Sequence, residues 1–142
     1  MNGLNDRVRR FFEIYEVANR EFDVEKISAL YADVFVFGKP QGVQAVKKED
    51  FVKVLPKRKE FFKTVGLVSS SVVSLDVSAL DQNYALAKVV WNMRFERSPG
   101  VFIESENSAT YVLLFTDDSA QIVFQLDHQD LMKKVKDLGL IK

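Results

Sequence analysis

The hydrophobic period of this chain changes once, near Gly66, and that change restricts the fold more than any short motif. Before it, Leu4, Val8, Phe11, Tyr15, Ala18 and Phe22 step by four and three, which places them on one face of a helix. After it, Ala85, Ala87, Val89, Trp91, Met93 and Phe95 alternate along a strand. Helices gathered before a long-stranded antiparallel sheet form an α+β domain, with one sheet face covered by the helices. A chain of 142 residues fits a single domain, residues 1–142, with a genuine core.

Helix signals precede the switch. Asn5 and Asp6 are N-cap candidates for a first helix running to about Arg20. Asp23 caps a short second helix that carries Val24, Ile27, Leu30 and Tyr31 inward. Val34-Phe35-Val36-Phe37 reads as a brief strand ended by Gly38, Pro40 and Gly42. A third helix spans Lys48 to Thr64, and Pro56 is expected to kink it or divide it in two. Strands follow at about Ser70–Leu80, Tyr84–Arg97, Glu104–Thr116 and Gln121–Gln129. They are joined by turns at Asp81-Gln82-Asn83, Ser98-Pro99-Gly100 and Asp117-Asp118-Ser119. Leu131, Val135 and Leu138 mark a short C-terminal helix stopped by Gly139.

Composition excludes several functions. Lysine plus arginine and aspartate plus glutamate both total 20, so nothing predicts a nucleic-acid partner or an anionic membrane. The absence of cysteine removes disulfides, thiolate metal sites and cysteine nucleophiles. With a single histidine, a metal site would rest on carboxylates alone, so no metal and no cofactor is assigned. The segment Lys47–Lys63 holds seven basic residues interleaved with Glu49, Asp50 and Glu60, and reads as a solvated helix face. A charged amphipathic N-terminus without a visible signal peptide, and no run long enough to span a membrane, lead to the expectation of a cytoplasmic protein.

Leu30-Tyr31-Ala32-Asp33 closing the second helix, Pro40 after the first strand, and three helices before the sheet resemble the nuclear transport factor 2-like superfamily. That superfamily includes ketosteroid isomerases, SnoaL-like polyketide cyclases and limonene epoxide hydrolases. The resemblance implies a cone-shaped, cystatin-like fold with the helices closed over a curved antiparallel sheet and a pocket between them. It also implies a homodimer through the outer sheet face. Strand parity agrees on the faces: Ser105, Asn107, Ala109, Tyr111, Leu113 and Phe115 point inward. On the last strand Val123, Gln125 and Asp127 are expected inward, with Ile122, Phe124, Leu126 and His128 outward.

The resemblance also suggests a site. The isomerases combine an inward tyrosine on the first helix, a carboxylate base after the first strand and a protonated aspartate on a later strand. Tyr15 matches the tyrosine, but the other two positions carry Lys39 and Tyr111. Two phenols can form an oxyanion-binding pair, or both can be core aromatics with satisfied hydroxyls. Asp127 ends an apolar strand where the interior of the cone is expected, and a carboxylate facing an apolar cavity suits general acid or base work. It reads equally as the N-cap of the C-terminal helix or the partner of a lysine. Epoxide hydrolases use an arginine and a carboxylate two residues apart with a later aspartate. Arg94-Phe95-Glu96 with Asp127 supplies those residue types, but strand parity turns Arg94 and Glu96 outward, and Phe37 and Lys39 replace the water-supporting pair. The expected site is therefore Asp127 as acid or base with Tyr15 and Tyr111 as donors. A small apolar or aromatic molecule would be held by Phe35, Phe37, Lys39, Trp91, Met93, Asn107 and Gln125. The competing reading is a carrier or association module without chemistry.

Overall fold

The computed structural model describes residues 2–117 and 119–141, with the side chain of Asn2 left aside. Its elements are α1 (Asn2–Glu21), α2 (Val24–Ala29), β1 (Tyr31–Lys39), β2 (Gly42–Lys47), α3 (Lys48–Thr64), β3 (Leu67–Ala79), β4 (Tyr84–Ser98), β5 (Val101–Phe115), β6 (Ala120–Asp127) and α4 (Leu131–Asp137). The six strands form one curved sheet in the order β2-β1-β6-β5-β4-β3. Every neighbouring pair is antiparallel except β1 and β6, which run parallel, so the expected all-antiparallel sheet is corrected at that one seam.

The helices cover one face. Val8, Phe11, Phe12 and Ala18 of α1 are buried against Ala85, Ala87, Val89 and Trp91 of β4 and against Ala109, Tyr111 and Leu113 of β5. Fully burying one such large apolar side chain stabilises the fold by about 1.5–3 kcal/mol. A second, smaller cluster joins Met93 and Phe95 to Val65 and to Val135 of α4, which closes the other end of the cone.

Local chemistry explains the boundaries. Asp23 caps α2, its side chain accepting from the Lys26 amide at 3.2 Å. α1 begins at Asn2, so Asn5 and Asp6 lie within the helix and do not cap it. Leu30 is the C-cap of α2 and Tyr31 opens β1, which makes the strand longer than Val34–Phe37. β2 has no counterpart among the expected strands: it is a mostly exposed edge strand whose hairpin with β1 closes over Pro40 and Gln41. α3 runs unbroken through Pro56. Pro56 is exposed, so water can serve the carbonyl that loses its partner, while buried Leu55 holds the helix to the core.

Gly66 joins α3 to β3 at φ 79°, and its carbonyl accepts from the Glu96 amide at 2.8 Å. A Cβ there would collide with the Glu96 carbonyl oxygen, so only glycine fits. Asp81 Oδ1 accepts from the amides of Asn83 and Tyr84 and builds the β3–β4 turn. The Thr116 amide reaches the Ser119 carbonyl across the β5–β6 turn, of which Asp118 lies outside the described residues. α4 is capped by Asp130 and stopped at Gly139, where the Gly139 and Leu140 amides return to Lys136 and Val135.

Strict alternation fails on β6. Val112 faces Phe124 while Leu113 faces Ile122, leaving Val123 as an extra, bulged residue. Ile122, expected outward, is therefore fully buried, and Val123 is only half-buried. Beyond the bulge, Gln125 lies opposite Tyr111 and Asp127 opposite Ala109, on the inner face.

Candidate functional site

Between the helices and the sheet lie two adjoining cavities of about 490 Å³ and 510 Å³. The first lies over β4, β5 and β6 and is lined by Trp91, Met93, Asn107, Tyr111 and Asp127, with the C-terminal halves of α1 and α3 above. The second is walled by Ile27 of α2, Phe35 and Phe37 of β1, Val46 of β2, and Phe51 and Leu55 of α3. Tyr15, Asn19, Arg58 and Gln125 line both.

A hydrogen-bonded wall separates the two lobes. Tyr31 Oη donates to Gln125 Oε1 at 2.7 Å, and Gln125 Nε2 donates to Asp127 Oδ1 at 3.1 Å. Only this orientation of the Gln125 amide serves both neighbours. The single proton of Tyr31 is thereby committed, so at the 3.3 Å contact between the two phenols Tyr15 is the donor. The chain of bonds runs from Tyr15 through Tyr31 and Gln125 to Asp127, whose carboxylate keeps acceptor capacity to spare. The capping carboxylate is Asp130, and among the described residues no lysine lies in ion-pair range of Asp127.

Tyr111 is placed differently. Its oxygen accepts from Trp91 Nε1 at 3.1 Å, which leaves its own proton free at the first lobe. Burial pushes the Tyr111 hydroxyl well above the ordinary phenol range, with Tyr15 and Asp127 adding to the effect and the Trp91 bond opposing it. Burial likewise raises Tyr31, helped by Tyr15 and Tyr111 and opposed by Arg58. Both phenols are therefore neutral donors at neutral pH. Asn107 Nδ2 donates to Met93 Sδ, while Asn107 Oδ1 and Ser105 Oγ are buried without a partner.

Seven of the site residues expected from sequence converge on the first lobe: Tyr15, Trp91, Met93, Asn107, Tyr111, Gln125 and Asp127. Phe35 and Phe37 line the second, and Lys39 is exposed at the β1–β2 hairpin, outside both. Arg94 stacks on Phe102 at 4.0 Å on the outer face while Phe95 is buried, so the Arg94-Phe95-Glu96 triplet does not enter the cavity. His128 is exposed, its Nε2 in contact with Thr110 Oγ1.

Sequence reasoning missed three participants. Tyr31 was legible as inward, but its bond to Gln125 depends on the parallel seam between β1 and β6. Arg58, within the charged stretch, lines both lobes. Phe22 ends α1 at φ 50°, with its own amide and that of Asp23 bonded back to Asn19 and Ala18. A left-handed phenylalanine at a helix end costs about 1 kcal/mol, and this one lines the first lobe.

The sequence model of a family described as "NTF2-like protein (DUF6841)" matches residues 5–130. The chain belongs to this NTF2-like family. No curated protein matches it. Among solved structures, an NTF2-like protein with a cystatin-like fold from Novosphingobium aromaticivorans aligns over 98% of this chain and 90% of its own, with a TM-score of 0.72 and 13% identity. An NTF2-like protein of unknown function from Shewanella oneidensis aligns over 88% of this chain and 98% of its own, at 0.71 and 11%. A ketosteroid isomerase-like protein from Erwinia carotovora atroseptica aligns over 90% and 97%, at 0.68 and 16%. At these identities the likeness concerns the fold alone. No helix among the described residues is long and apolar enough to cross a membrane.

Proposed function

We propose that this NTF2-like chain binds a small, largely apolar molecule in the first lobe and moves a proton on it through Asp127, in an isomerase, cyclase or hydrolase reaction. One observation carries the reading: a cavity of about 490 Å³ has at its inner face a carboxylate oriented by the Tyr31–Gln125 relay. Asp127 takes a proton from the bound molecule or from an attacking water. Tyr111, a neutral donor with its own proton unspent, stabilises the oxyanion that develops. Tyr15 is drawn into the wall and positions Tyr31. Trp91 and Met93 supply the apolar surface against which the body of the ligand packs.

The test uses the single tryptophan of the chain, which lines this lobe. Tetralone, a flat apolar ketone, should shift Trp91 emission, and in D2O its α-protons should exchange faster with protein present. Asp127→Asn should keep the emission change and lower the exchange rate by about 10²-fold or more. Binding without exchange in the unaltered protein would favour the carrier reading.

A homodimer through the outer sheet face is part of the same proposal. Leu86, Val112, Phe124 and Val36 form one outward row across four strands, and Val36 in it is 36% exposed. A second copy of the same face would cover this row. Sedimentation at tens of micromolar, where a monomer would sink the idea, decides it.

A further inference from the structure

The rim of the first lobe carries positive charge that its neighbours leave unneutralised. Arg20 near the end of α1 and Arg58, Lys59 and Lys63 on α3 line the lobe, and all four are exposed. Among the described residues none of the four lies within 4.0 Å of a carboxylate oxygen. The two rim carboxylates are occupied elsewhere. Glu16 accepts from the Val72 amide at 3.0 Å, and Glu21 pairs with Lys26 at 3.4 Å. The charged heads also sit over wall rings: the Arg58 guanidinium is 5.2 Å from the Phe62 ring centre, and the Lys59 ammonium 6.0 Å from that of Phe22. Phe22 and Phe62 line the same lobe, so apolar wall passes directly into cationic rim. At the opposite, sheet side, the lobe is lined by Trp91, Met93 and Tyr111.

We infer that the ligand of the first lobe is an amphipathic anion, with an apolar body against Trp91 and Met93 and a carboxylate held at the Arg58 rim. A guanidinium accepts a carboxylate in two parallel hydrogen bonds, and flanking ammonium groups add attraction without fixing orientation. The anion stays at the wet edge, where it keeps part of its hydration, while the body removes apolar surface from water. This inference rests on the reading of the lobe as a ligand site, and it specifies which apolar molecules qualify.

Decanoate and 1-decanol, matched in chain and differing in charge, separate the two ideas when titrated into the full chain with Trp91 emission as the signal and calorimetry as a check. Decanoate is expected to bind about tenfold more tightly at low ionic strength, with the preference shrinking as salt screens the exposed cations. The exposed double variant Arg58→Gln/Lys59→Gln should remove most of that preference, lowering decanoate affinity by a larger factor than 1-decanol affinity. Equal affinity of the two ligands in the unaltered protein overturns the inference and leaves the pocket reading standing. A preference that survives in the double variant also overturns it. Failure of both ligands to move Trp91 overturns the inference together with the proposed binding site.

Discussion

The two lobes share one sheet and one wall yet differ in chemistry. The second is walled mainly by apolar side chains, Ile27, Phe35, Val46, Phe51 and Leu55 among them, with Gln44, Asp50 and Lys57 also in its lining. The first has an aromatic and sulfur floor but ends in Asn107, Gln125 and Asp127, and opens at a cationic rim. The difference comes from which strand supplies the floor. The inward positions of β5 and β6 include the polar Asn107, Gln125 and Asp127, whereas inward β1 contributes Tyr31, Phe35 and Phe37. Hollow space therefore does not by itself define a site. The polar residues at one end do, and the Tyr31–Gln125 bond is the only buried side-chain link by which the apolar lobe touches them among the described residues.

Breaking the apolar lobe should cost the most. Leu55 is 1% exposed, and Leu55→Ala is expected to lose about 2–4 kcal/mol in urea unfolding, while ligand-induced changes in Trp91 emission persist. A loss under about 1 kcal/mol would show that the second lobe collapses freely and that the two lobes are not distinct in packing.

The tyrosines test both lobes at once, since Tyr31 lines one and Tyr111 the other. Burial raises both phenols in the folded state. Their contribution is complete below the unfolded value of about 10 and is lost as pH rises above it, because only the unfolded chain then releases the protons. Stability should fall by about 1.4 kcal/mol per pH unit for each tyrosine above pH 10. Urea midpoints between pH 9 and 11, with absorbance near 295 nm, should show Tyr31 and Tyr111 resisting ionisation until the fold gives way. Only one resistant tyrosine would place the other lobe in contact with solvent.

The wall itself is a smaller test. Tyr31→Phe strands Gln125 Oε1 and should cost about 1–2 kcal/mol, more than Tyr15→Phe, whose longer bond leaves a Tyr31 oxygen that still donates to Gln125. A reversed order would assign the wall to Tyr15. Smallest of all is Phe22→Gly: relief of left-handed strain and loss of apolar contact should nearly cancel, keeping stability within about 1 kcal/mol. Decanoate binding should nevertheless weaken severalfold, measured by the same emission change.

Most of the sheet was legible because β4 and β5 are long, paired without a break from Tyr84 to Glu96, and alternate cleanly. The inward set ending in Phe95 followed from parity, and the one ending in Phe115 from parity together with the resemblance to the isomerases. Parity also kept Arg94 out of the cavity. It failed at Ile122, since a bulge leaves no mark in a run of apolar residues, where any of Ile122, Val123 or Phe124 could be the extra one. β2 escaped notice because an exposed edge strand needs no hydrophobic face, and Pro56 misled because a helix surface in water tolerates the lost bond. In the site, residue types and faces were readable, but which tyrosine spends its proton on the wall was not. That depends on β1 lying parallel to β6, a pairing between segments some ninety positions apart that no local pattern encodes.

The extra residue in β6 bears on how such a hollow is tuned. Without Val123, Ile122, Gln125 and Asp127 would still face the helices, because the alternation on either side is already in phase with β5. What would change is the bend of the strand, and with it the depth of the concavity. Chain length at a single position thus joins side-chain size in deciding whether such a fold keeps room for a guest or fills itself.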